Sequence, residues 1–273
     1  MKLVRQEEFM AGTVYRFNIG QLACMAVSDG YLSLPGDQRM DVNLLYIRTG
    51  NHQILVDTGC GVSPQKGAGK LLENLQAEGI KAADIDMIIH THGHSDHVGG
   101  NTDAQGKPVF INARHVIHKT EWDYWINRLD QKQAAEGMQQ MMLEVARKNL
   151  LPLKDRFDLI ENKIEIIPGI KFSLAPGHTP GNLILMLSSG PQQLLCIGDL
   201  VHDPQEFAHP ELYRMIDTEA DLAYKTRQEI LLRAAKDRIA VFAAHFAFPG
   251  LGRMVQKDGV LQWRPIQKAG SEI

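Results

Sequence analysis

The sequence predicts an α/β fold of four layers, with two β-sheets packed face to face and helices on the outside. Short apolar runs bounded by Gly, Asp and Pro recur in both halves of the chain. They read LACMAVSDG, VNLLYIRTG, HQILVDTG and IDMIIHTH in the first, then IKFSLAPG, NLILMLSS and QQLLCIGD in the second. Each half also carries amphipathic segments of helical period. ILVDTG and LLCIGD are both apolar strands ending on an aspartate, an internal echo that implies two similar halves facing one another.

Taken in order, RTGNH supplies Gly50 and Asn51, residues that tolerate the positive φ of a tight hairpin. KGAGKLLENLQAEGI reads as a helix stopped at Gly79, and KPVFINARHVIH as a strand pair or one bent strand. Thr120, with Asp123 three residues on, is the expected N-cap of a helical cover segment at about residues 120–150, rich in Met138, Met141 and Met142. KIEIIPG opens the second set of strands. A helix follows over TEADLAYKTRQEILLRAAKDR, and IAVFAAH is the last strand. No Pro/Ser-rich linker interrupts the chain, so residues 1–273 are expected to form a single domain.

Composition excludes several function classes. Lys and Arg number 29 against 32 Asp and Glu, a net charge of -3 without a long basic run, so nucleic acid is not an expected partner. Cys24, Cys60 and Cys196 are far apart and lack CxxC spacing, which predicts reduced core thiols. MKLVRQEEFM breaks its apolar run too early for a signal peptide, and no apolar stretch reaches membrane-spanning length. The default expectation is therefore a cytoplasmic protein with no membrane partner; a homodimer is allowed.

The chemistry concentrates in IIHTHGHSDHVGG, residues 88–100. His92 and His94 are two apart beyond an apolar strand, so extended backbone sends both side chains to one side, where they can grip a metal ion. Ser95 is the expected N-cap of the next helix, which turns Asp96 and His97 toward a second ion. Imidazole and carboxylate without thiolate suit zinc, iron, manganese or cobalt. His90, inside the strand, is expected to be core packing. One segment cannot complete two coordination spheres, and three strand-end residues are candidates to do so: His178 in APGHTPGN, Asp199 in CIGDL and His245 in VFAAHF.

The ordered set THGHSDH, GHTPG, GD and AAH resembles the metallo-β-lactamase-fold hydrolase superfamily. That resemblance implies an αββα sandwich of two similar halves. It also implies His92, His94 and His178 on one ion, Asp96, His97 and His245 on the other, and Asp199 bridging. Asp57 of LVDTG matches an aspartate that orients ligands. SDGYLSLP, GDLVHDPQEFAHPE and HFAFPGLG resemble more loosely the branch that includes N-acyl-homoserine lactonases and methyl-parathion-hydrolase-like enzymes.

Two divalent metal ions, zinc first and manganese, cobalt or iron as alternatives, would leave a core of net charge about +1 once Asp96, Asp199 and a bridging hydroxide are counted. Such a core favours hydrolysis of a small-molecule ester or lactone, with Asp96 and Asp199 serving the hydroxide. No GxSxG elbow is present to supply a serine nucleophile. His202 is read first as a turn cap and second as an oxyanion donor. Phe246, Phe248, Trp122, Tyr124, Trp125, Met138 and Met142 are candidate walls for an apolar acyl group. The competing readings are a phosphotriester or thioester hydrolase on the same site and a mononuclear iron oxidoreductase of the persulfide-dioxygenase type. An RNase Z-like nuclease, a true β-lactamase and a noncatalytic metal protein fit less well.

Overall fold

Residue alternation along two strands accounts for the layers. Leu45 and Ile47 of β3 (Gln38–Thr49) and Ile54 and Val56 of β4 (His52–Val56) face an inner cluster, which they share with Phe172, Leu183, Leu185 and Phe242. Leu44, Tyr46 and Leu55, the residues between, face outward onto Leu71 and Leu75 of helix α1 (Leu71–Ala77). Each fully buried aliphatic side chain contributes about 1.5–3 kcal/mol, so this shared inner cluster is the main adhesive between the sheets. The computed structural model describes residues 12–266 apart from 37, 64, 128–137, 162–164, 210, 211 and 213.

Sheet one adds β1 (Val14–Ile19), β2 (Leu22–Leu34), β5 (Met87–Ile89), β6 (Arg114–His118) and β7 (Phe157–Ile160), and its seven strands lie in chain order. Pairing is antiparallel from β1 to β4 and parallel from β4 to β7. Sheet two holds β8 (Glu165–Ile167), β9 (Ile170–Leu174), β10 (Leu183–Ser189), β11 (Gln192–Cys196), β12 (Ala240–Phe242), β13 (Leu251–Lys257) and β14 (Val260–Pro265), also in consecutive order. Within it β11 and β12 are parallel. The echo of the sequence is thus structural: β4 and β11 each run parallel to the next strand, and Asp57 and Asp199 leave their ends.

The other helices are α2 (Ser95–Val98), α3 (Lys119–Trp122), α4 (Met138–Leu150) and α5 (Ala220–Lys236). Leu231 and Ala234 of α5 cover the outer face of sheet two on Leu195, Val241 and Met254. Trp122, Leu143, Ala146 and Leu150 of α3 and α4 cover sheet one around Phe157. Among the described residues no helix is long and apolar enough to cross a membrane.

Several expectations shift. Only Gly50 of the hairpin pair takes positive φ, 55°, as a two-residue turn with glycine first allows. KPVFINARHVIH yields the single strand β6. The first cover helix is capped by His118, whose ring accepts from Thr120 N–H at 3.2 Å, because the imidazole at the strand end reaches that donor first. Asp123 instead pairs with Lys119 and accepts from Asn127. The cover segment is α3, a π turn over Asp123–Asn127, and α4. Its middle, like MKLVRQEEFM, lies outside the described residues. Cys24, Cys60 and Cys196 are free thiols, and burial pushes Cys24 and Cys196 up to about 12.

Candidate metal centre

The centre is built where strands stop. Asp57 follows β4 with φ 63°, a left-handed conformation that few residues other than glycine adopt. Turned this way, its carboxylate accepts from Thr91 N–H at 2.8 Å and Thr91 Oγ1 at 2.7 Å, and lies 2.8 Å from His97 Nδ1. It therefore holds the whole loop after β5. On that loop His92 and His94 precede α2, and Asp96 and His97 lie in its first turn. The N-cap is His94 rather than Ser95, and its side chain makes no cap bond because it turns into the cluster.

Sheet two supplies the facing half. His178 occupies the turn after β9, and its Nδ1 is 3.0 Å from Oδ1 of Asp217. Asp199 sits past β11 next to Gly198, whose φ of 48° and closeness to Thr91 leave little room for a side chain. His245 follows β12 with Nδ1 2.9 Å from the Asp41 carbonyl. The partner at each Nδ1 leaves Nε2 of His97, His178 and His245 directed at the cluster.

Two groups of ligand atoms converge. His92, His94, His178 and Asp199 form one, Asp96, His97 and His245 the other, with the atoms of each group within 4.8 Å of one another. Asp199 faces both. Its Oδ1 is 3.0 Å from His97 Nε2, its Oδ2 is 3.5 Å from His178 Nε2 and 3.6 Å from His92 Nε2, and His245 Nε2 is 3.2 Å from either oxygen. Asp96 Oδ2 lies 3.4 Å from His245 Nε2.

These residues fit a divalent cation. His92 Nε2, His97 Nε2 and Asp199 Oδ1 are buried and close to other cluster atoms, yet none is aligned as a hydrogen bond. That is the arrangement of lone pairs converging on a cation. Burial first, then neighbouring imidazoles, holds His92 and His94 well below the ordinary histidine range, in the neutral form that ligates metal. His97 is raised despite its burial because Asp199, Asp57 and Asp96 surround it, so its position calls for positive charge.

Residues 38–245 match the sequence pattern of the metallo-beta-lactamase superfamily. The chain belongs to that superfamily. It is similar to an N-acyl homoserine lactonase of a Bacillus species, 26% identical over 73% of this chain and 78% of that protein. Among solved structures it resembles AidC, a dizinc quorum-quenching lactonase in complex with a product, N-hexanoyl-L-homoserine. The TM-score is 0.86 and the identity 29%, covering 93% of this chain and 98% of that one. The hydrolase AbOPH is equally similar in shape, with TM-score 0.85, 26% identity and coverage of 95% and 99%.

In this superfamily member the surroundings of the cluster depart from expectation at several points. His202 is not a turn cap. Asp203 caps that turn, and the His202 ring stacks on His245 with Nε2 3.3 Å from Asp199 Oδ2. Burial opposes its charge, but Asp199 and Glu206 outweigh it and push the ring up to about 10. Phe246 packs edge-on against Trp263 in the outer core of sheet two, away from the cluster. Phe248 rests on the inner core, Trp122 packs on Phe157, and Met142 packs in the same outer cluster as Trp122. The side chain of Met138 lies outside the described residues. Among the described residues, the wall candidate that meets a cluster residue is Trp125, edge-on to His94 at 5.5 Å. His90 is core, stacked on His115 with Nε2 3.0 Å from His115 Nδ1.

Four supporting residues escaped the sequence reading: Asp41, Glu121, Asp217 and Arg227. Asp217 and Arg227 carried no local signal, since an aspartate before a helix and an arginine within one are ordinary. Glu121 had a faint one, standing four residues before Trp125, the spacing at which helical side chains meet.

Proposed function

We propose that the protein is a metal-dependent hydrolase that opens lactones or cleaves esters, with a pair of divalent ions, zinc first, as its cofactor. The observation that carries this reading is the Asp199 carboxylate, which lies between the two ligand groups and within 3.6 Å of members of both. His92, His94, His178 and Asp199 would hold one ion, and Asp96, His97, His245 and Asp199 the other. When bound, such a pair supplies Lewis acidity and water acidic enough to attack at neutral pH.

The chain's own residues orient and protonate. Asp57, Asp217 and the Asp41 carbonyl fix the rings of His97, His178 and His245 by holding Nδ1. His202 is backed by Glu206, whose Oε1 accepts from His202 N–H at 2.6 Å and lies 3.4 Å from Nδ1. Its Nε2 is placed to hold a proton and pass it to the oxygen that departs from the carbonyl carbon. Trp125, buried edge-on beside His94, braces that ring from the outer core. The lactonase named among the solved relatives, met with an acyl-homoserine product, supports a lactone as the preferred ester.

A hydrolysis panel tests the proposal. Acyl lactones and aryl esters should be turned over, phosphotriesters more slowly and cephalosporins barely. Lengthening the acyl chain should raise kcat/KM until the pocket fills, since each buried methylene contributes about 0.8 kcal/mol. Indifference to chain length together with rapid cleavage of a glutathione thioester would replace this reading with a thioesterase.

A further inference from the structure

Glu121 is a fully buried carboxylate, 0% exposed, that the chemistry above does not use. Its Oε1 accepts from Gly93 N–H at 2.9 Å and from Trp125 Nε1–H at 2.6 Å, and its Oε2 accepts from Gly181 N–H at 2.9 Å. Gly93 stands between His92 and His94. Gly181 lies in the turn that carries His178. The two loops meet where His94 Nδ1 and His178 Nε2 are 2.9 Å apart. We propose that Glu121 is a positioning residue that fastens both loops, so that one carboxylate sets the spacing of His92, His94 and His178 and the affinity of that group for its ion. The proposal rests on reading these histidines as metal ligands.

The close packing around Glu121 is a second, independent observation. A Cβ on Gly93 would stand 2.4 Å from Trp125 Cδ1, and one on Gly181 would stand 2.3 Å from the Glu121 backbone nitrogen. Both loops are therefore glycine where they press on the start of the cover segment. The hydrogen bond from Leu183 N–H to the Thr91 carbonyl, 2.8 Å, joins the same two segments just outside the ligands, but Glu121 joins them among the ligands themselves. Buried in this way, three donors and one carboxylate make a joint with little freedom.

The two oxygens have separate tasks, which makes the joint divisible. In Glu121→Gln the remaining oxygen can still serve Gly93 and Trp125, but the new NH2 faces the Gly181 N–H, donor against donor. The turn of His178 is released and the loop of His92 and His94 is kept.

The test is a chelator-competition titration of stripped protein with Zn(II), accompanied by the visible spectrum with Co(II). Glu121→Gln should weaken one of the two ions by about 10- to 100-fold and alter the Co(II) spectrum, with the other ion and the circular dichroism unchanged. Trp125→Phe removes one donor but leaves both loops tied, and should bind both ions as the wild type does. Gly181→Ala pushes the same turn from the other side and should reproduce the loss, deciding the matter should Glu121→Gln not fold. Wild-type affinity for both ions in Glu121→Gln, or in Gly181→Ala where that variant decides, would overturn the proposal. So would an equal loss in Trp125→Phe. A wild-type chain that takes up two ions but opens no ester would refute the proposed reaction and leave Glu121's role standing. A wild-type chain that binds no ion would refute both.

Discussion

Arg227 places Nη1 2.8 Å from Oε2 of Glu206, and both side chains are buried. The same guanidinium puts Nη2 3.6 Å from Asp217 Oδ2 and donates from Nε to the Leu200 carbonyl at 2.6 Å. One cation on α5 thus stands behind two carboxylates, of which Glu206 holds His202 and Asp217 holds His178.

Arg227→Met should therefore destabilise the fold by about 3–5 kcal/mol, because it takes the guanidinium from two buried carboxylates and leaves Glu206 only the His202 ring as counter-charge. Urea unfolding measures the loss. The double variant Arg227→Met/Glu206→Gln should recover part of it, and strict additivity of the two losses would contradict the pairing.

Asp199→Asn and His202→Ala should fail differently. Asp199 faces both ligand groups, so its replacement should lower metal content and activity together, and by the larger factor. His202→Ala should keep wild-type metal content and lose about 100-fold in kcat. The loss should be smallest for aryl esters, whose leaving oxygen needs no proton. Elemental analysis beside kcat for the two variants makes the distinction, and equal losses of metal would mean that the bridging role is misplaced.

His115 predicts an acid-sensitive fold. Burial, then the charges of Arg156 and Arg114, lower it to about 4, against about 6.5 in the unfolded chain. Between these values the unfolded state binds the extra proton, so the stability contributed by neutral His115 is complete above pH 6.5 and is lost as pH falls toward 4. His115→Asn keeps a hydrogen-bonding group near the position of Nδ1 and removes this titration. Its urea midpoint should fall less than that of the wild type between pH 7 and 5, and parallel declines would contradict the assignment.

Much of this was legible in the residues themselves. The layers were read from short apolar runs in both halves and from the echo of ILVDTG in LLCIGD, and Leu45 and Leu44, leaving β3 on opposite faces, build them. The seven candidate ligands could be named because imidazole and carboxylate at strand ends have few other uses in such density. What could not be read depended on contacts distant in sequence. Phe246 looked like a pocket wall because it follows His245, but in the turn after β12 its side chain enters the outer core on Trp263. His202 looked like a cap, since nothing local showed that Asp203 would cap the turn and leave the ring beside Asp199. Glu121 reads as one more helical acid until the glycines at 93 and 181 are seen to press upon it.

Two ions acting together in one ester-opening site can be counted in a single titration. Chelator-stripped protein should be given Zn(II) stepwise while the opening of an N-hexanoyl homoserine lactone is followed. No activity is expected without metal, and the rate should reach its plateau at two ions per chain. A plateau at one ion, or a rate indifferent to metal, would contradict it.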